Sequence, residues 1–101
     1  MDDLTERLDG VRAGIDKALS AVQGDGGASP VLVAVVREFQ AKGEKAAQAA
    51  QSGAGRDAVI ELEQAGDSAK AAAEADGGLS EPTRQAVLDA HLAICKLKFK
   101  M

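Results

Sequence analysis

His91 and Cys95 stand four residues apart in DAHLAICKLKFKM, the closing stretch of a 101-residue chain that holds one histidine and one cysteine. On a helix, an i, i+4 pair shares a face. Imidazole and thiolate are both zinc ligands, but two ligands fall short of a site. No second Cys or His exists to complete one unless a symmetric dimer lends its own pair. The pattern therefore reads as a boundary histidine beside a core cysteine, with no metal and no cofactor expected. Cys–His nucleophilic chemistry needs a cleft that two side chains on one bundle helix rarely provide. The sixteen Asp and Glu are scattered over polar faces. Ferritin-like chemistry needs paired E-x-x-H motifs, and Leu88 stands three residues before His91. No catalytic residue is assigned, and the chain reads as a non-enzyme.

A single histidine in a helical chain of this size raises another chemistry, phosphotransfer. The stretch Ala90 to Lys96 resembles the A-H-x-L-K-G motif of histidine phosphotransfer domains in Ala-His only. Ile94 and Cys95 stand where that motif has its lysine and glycine. The resemblance implies an exposed imidazole, with His91 as the alternative phosphoacceptor. The stretch GDGGASP precedes a helix start, where anions can bind, yet lacks the G-K-[ST] of a phosphate loop and reads as a linker. A second alternative is a small-ligand hollow between the Gly/Ala-rich halves of the helices.

The elements that must position these residues are cut by three glycine clusters, at 24–27, 53–55 and 77–78. Ser29-Pro30 and Ser80-Glu81-Pro82 are helix entries: the serine oxygen can accept an orphan N–H, and proline has none to waste. The spacing predicts helices over about 2–23, 30–52, 55–75 and 80–100 in a single domain spanning 1–101. Each carries an apolar seam at steps of three and four. The seams are Leu4, Leu8, Val11, Ile15, Ala18 and Val22; then Leu32, Val36, Phe39, Gly43, Ala46 and Ala50. The third is Val59, Leu62, Gly66, Ala69 and Ala73, and the fourth is Leu88, Leu92, Cys95 and Phe99. The second and third match at an offset of 23, which alanine-rich helices do cheaply. The expected fold is all-α, a four-helix bundle in up-down-up-down order with short Gly-rich loops.

The tail ICKLKFKM alternates apolar and basic residues, a strand's period. No partner strand is evident, and an unpaired strand leaves backbone groups unsatisfied, so the helix is expected to continue to the end. With Leu88 on the core side, Leu97 points straight away from it, and Ile94 and Met101 widen the apolar arc. That surplus, together with a core short of aromatics, predicts a protein–protein interaction or assembly module that self-associates. The candidate interface is Ile94, Leu97, Phe99 and Met101, with Val31 and Val35 as second choice. Net charge is −4, against a nucleic-acid partner, which needs a basic surface. The longest apolar run, Val31 to Val36, is far short of the ~20 residues of a membrane span. One cysteine fits a reducing compartment, and a cytoplasmic homo-oligomer is the expectation.

Overall fold

The computed structural model describes residues 3–100. Four helices, α1 (Asp3–Gln23), α2 (Pro30–Gln51), α3 (Gly55–Ala75) and α4 (Glu81–Phe99), make an all-α four-helix bundle, with no strand among the described residues. The start of α2 is fixed by Ser29, whose Oγ accepts from the Leu32 N–H at 3.2 Å, with Pro30 in the first turn. Its end is fixed by Gly53, whose φ of 85° lets the Ala54 N–H return to the Ala49 carbonyl.

Helix α1 packs on α2 and α4, and α3 packs on the same two. Contacts run in opposite order along successive helices, as antiparallel neighbours require. Asp16 meets Gln40 and Arg12 meets Glu44. Phe39 lies over Gly66, and Ala50 lies against Gly55. Asp67 meets His91 and Glu63 meets Lys98. The seams of the first three helices fill the interior: Leu8, Val11, Ile15, Ala18 and Val22; Leu32, Val36, Phe39, Gly43 and Ala46; Val59, Leu62, Gly66, Ala69 and Ala73 are all buried. The glycines leave room that larger neighbours occupy. A methyl at Gly66 would lie 3.1 Å from both Ile94 Cγ2 and Phe39 Cζ, so the close-packed interior has no hollow there.

The fourth helix turns a different face inward from the one its leucines indicate. Thr83, Val87, Ala90, Ile94 and Leu97 are buried, while Leu92 keeps 50 % of its surface exposed and Phe99 90 %. Leu88 and Cys95 are half-buried. Both stripes have helical spacing, so the neighbours decide between them. Ala90 sits against Gly14 of α1, and Ile94 fills the space beside Gly66. This rotation also carries Arg84, His91 and Lys98, one every seven residues, to hydrogen-bonding partners on and just beyond α3. They reach the Asp76 carbonyl, the Asp67 carboxylate and the Glu63 carboxylate. Ile94 and Leu97 are therefore core residues and cannot belong to an exposed interface. Val31 is 68 % exposed, Val35 packs partly against the core, and Met101 lies outside the described residues. The tail is helical through Phe99, the Lys100 N–H returning to the Leu97 and Lys96 carbonyls.

At one end of the bundle two loops clasp each other. Asp25 accepts from its own loop's Gly27 N–H and from the Ser80 N–H and hydroxyl across the bundle. Asp76 accepts from its own Gly78 N–H and from the Ser29 N–H. The two loops read DGGASP and DGGLSEP, with each Asp and Ser of the second fifty-one positions after its counterpart in the first. The internal correspondence that hydrogen bonding displays thus relates the first hairpin to the second, rather than α2 to α3 at the offset of 23.

Candidate functional site

Helix α4 presents His91 and Cys95 toward the polar edge of α3, where Glu63 and Asp67 are likewise four residues apart. His91 Nε2 donates to Asp67 Oδ1 at 2.7 Å, and Cys95 Sγ lies 3.4 Å from the same nitrogen and 3.9 Å from Nδ1. One donor atom from each of Asp67, His91 and Cys95 falls within 4.8 Å of the others. Asp67 is exposed, and His91 and Cys95 are half-buried, so the cluster opens on the surface of the α3–α4 seam. Glu63, one turn from Asp67, is held by Lys98 Nζ at 2.9 Å. That carboxylate raises the lysine's pKa by hydrogen bond and charge. Burial pushes the Cys95 thiol up, and the charges of Glu63 and Asp67 push it further.

This geometry is not a nucleophilic relay. A Cys–His–Asp relay sets thiol and carboxylate on opposite ring nitrogens. Here both lie nearer Nε2, and the surroundings favour the protonated thiol rather than the thiolate that would attack. Nor is it an open phosphoacceptor. The His91 side chain keeps 16 % exposure, and its Nε2 is occupied by a carboxylate. What the cluster can do is coordinate: imidazole, thiolate and carboxylate are the donors of zinc sites.

The sequence reading places His91 and Cys95 together and misses Asp67 and Glu63. It also takes Cys95 for a core residue, whereas the sulfur sits at the rim. The equivalent seam of the first hairpin carries different chemistry. There Asp16 accepts from Gln40 Nε2 at 2.8 Å, and Glu44 is held by Arg12 through Nε at 2.8 Å and through its second guanidine nitrogen. Asp16, Gln40, Glu44 and Arg12 stand fifty-one positions before Asp67, His91, Cys95 and Glu63. One seam is closed by an amide and an ion pair; the other gathers four metal-ligating residue types.

Two surface grooves lie elsewhere among the described residues. One, of about 260 Å³, lies between α1 and α4 over Gly10, Val11, Ala93 and Leu97, rimmed by Arg7, Lys96 and Lys100. The other, of about 280 Å³, lies beside Val31 and Ala72 near the clasped loops. Neither is a hollow in the core. Among the described residues, no helix is long and apolar enough to cross a membrane. No family model, curated protein or solved structure matches the chain.

Proposed function

We propose that the chain is a non-enzymatic helical interaction module that pairs with a second copy of itself through the outward face of α4. The observation that carries this reading is the second stripe of that helix. Leu88, Leu92 and Phe99 recur at steps of four and seven on the side away from the core, with Leu92 half exposed and Phe99 almost wholly so. A buried aromatic side chain is worth about 1.5–3 kcal/mol more than an exposed one, so this placement leaves favourable burial unused. The surplus apolar surface is real, but it belongs to the stripe around Leu92 and not to Ile94 and Leu97.

A copy of the same helix fits the rim. Asp89 and Lys96 are both exposed, lie on one edge of the stripe, and stand three residues before and four after Leu92. In an antiparallel pair related by a two-fold axis near Leu92, each Asp89 faces the other chain's Lys96, as an isologous interface requires. An interface one helix wide falls at or below the low end of stable interfaces, near ~1,200 Å². The pairing is accordingly weak, with Kd in the micromolar range or above, on the order of −8 kcal/mol or less favourable.

Sedimentation equilibrium tests the reading. Wild type should dimerise with rising concentration. Leu92→Asp should remain monomeric with an unchanged melting temperature, because the side chain contributes little to the core. Asp89→Lys should weaken the dimer, and Asp89→Lys with Lys96→Asp should restore it. A wild-type chain that stays monomeric at millimolar concentration sinks the proposal.

A further inference from the structure

We propose that Asp67, His91 and Cys95 form a mononuclear Zn²⁺ site bridging α3 and α4, with its fourth position open to water. This does not rest on self-association, since all three donors belong to one chain. Thiolate and carboxylate together cancel the charge of a dication, and a neutral imidazole completes a borderline-soft donor set of the kind that prefers zinc to magnesium or calcium. Metal–ligand lengths of about 2.0–2.3 Å at tetrahedral angles set neighbouring donor atoms about 3.3–3.6 Å apart. The Sγ–Nε2 separation of 3.4 Å already lies in that range. The Nε2–Oδ1 separation of 2.7 Å is that of a hydrogen bond and must widen by about half an ångström as the ion replaces the proton. The exposed Asp67 side chain can supply that movement by rotation.

Binding displaces two proton positions. Cys95 loses its S–H proton to solvent and becomes the thiolate. Nε2 gives up the hydrogen shared with Asp67, and the imidazole takes the Nδ1–H tautomer. Lys98 keeps Glu63 as an outer neighbour rather than a ligand. Because Asp67 lies at the surface, the ion can enter without opening the bundle.

The seam between α1 and α2 is the internal control. With Gln40 and Glu44 where the second hairpin has His91 and Cys95, it holds no imidazole and no thiolate. Cobalt(II) is the probe, because a tetrahedral thiolate site gives a near-ultraviolet charge-transfer band and intense visible bands. Wild type should titrate to one cobalt per chain with the charge-transfer band, and one Zn²⁺ per chain should displace it. Cys95→Ser should abolish the band. His91→Gln, which copies the residue of the other seam, and Asp67→Asn should each weaken Zn²⁺ binding at least about tenfold, with circular dichroism unchanged. Glu44→Gln should change nothing. The proposal is overturned if folded wild type shows no thiolate band, if zinc affinity survives Cys95→Ser, or if the end point is one metal per two chains.

Discussion

The seam joining α1 to α2 and the seam joining α3 to α4 occupy equivalent places in the two hairpins and solve the same problem with different chemistry. Each sets an Asp on the earlier helix against a polar side chain on the later one, at 2.8 Å for Asp16–Gln40 and 2.7 Å for Asp67–His91. In the first, the next turn is closed by Arg12 and Glu44, which neutralise each other. In the second, Cys95 stands opposite two carboxylates, and the nearest cation, Lys98, is taken by Glu63. Inside, the two seams differ again in the same layer. Ile15 of α1 packs against Gly43 of α2, whereas Gly66 of α3 receives Ile94 of α4. Large and small have exchanged helices. The comparison teaches that this scaffold fixes positions and leaves the chemistry at each position to be chosen.

Phe39 is where the exchange has its largest expected cost. It is the one buried aromatic of the described residues, fully enclosed, and its ring lies over Gly66. Phe39→Ala should lower the stability by about 3–5 kcal/mol, a large share of the ~5–15 kcal/mol typical of a domain. Urea denaturation should show this as a collapse of the midpoint, with the unfolded form populated even without denaturant. A loss under 1 kcal/mol would mean that the interior is loose and that large-against-small packing does not govern the bundle.

The two seam glycines sharpen the point, because the same substitution should act with opposite signs. A methyl at Gly43 would find Ile15 Cδ1 and Arg12 Cγ at 3.4 and 3.5 Å, ordinary contacts with flexible ends. Gly43→Ala should be neutral or stabilise by up to ~1 kcal/mol through helix propensity. A methyl at Gly66 would meet Ile94 and Phe39 at 3.1 Å, with both side chains enclosed. Overpacking of about 1–3 kcal/mol should outweigh the propensity gain, so Gly66→Ala should melt lower than wild type. If both variants melt higher, the core around Ile94 yields more easily than this packing implies.

The loop clasp adds a smaller effect that depends on pH. Two backbone N–H groups, from Ser80 and Gly27, and the Ser80 hydroxyl hold the Asp25 carboxyl at about 2, below its ordinary 3.8. A depressed folded-state pKa contributes stability that is complete above the ordinary value and is lost as pH falls through the folded one. The melting temperature of wild type should therefore decline between about pH 4 and pH 2, in part through Asp25. Asp25→Ala should melt a few degrees lower at neutral pH and show a shallower acid limb over that window. An acid limb of unchanged slope would exclude the clasp as its source.

How far the sequence discloses this arrangement depends on how many readings each helix admits. In each of the first three helices the seam at steps of three and four is the stripe that is buried, so Leu8, Val36 and Leu62 lie in the core as their spacing indicates. Helix α4 carries two. Counting leucines selects Leu88 and Leu92, but the stripe that enters the core contains Thr83 and Ala90, which look unremarkable in a sequence. The choice is made by space beside Gly14 and Gly66 and by acceptors on and beside α3, all far along the chain. The same reasoning applies to the site. His91 and Cys95 are visible as an i, i+4 pair, whereas Asp67 is one of sixteen acids until the register of α3 on α4 is known. A signal was present in the repeated Asp-Gly-Gly loops, whose offset brings Asp16 onto Asp67 and Gln40 onto His91.

That offset permits a test with almost no expected change in stability. Replacing Gln40→His, Glu44→Cys and Arg12→Glu gives the first seam the donor set of the second. The exposed Arg12–Glu44 pair is worth about 0–1 kcal/mol, so the triple variant should fold and melt within a few degrees of wild type. Its cobalt end point should nevertheless rise from one per chain to two, with the thiolate band doubled. The reason is geometric. Asp16 and Gln40 already sit at the separation found between Asp67 and His91, on helices whose side chains have the same spacing of four. A variant that folds but still takes up one cobalt would show that the two seams share hydrogen-bond distances without sharing backbone geometry. Coordination at Asp67, His91 and Cys95 would then depend on features of α3 and α4 that no exchange of side chains reproduces.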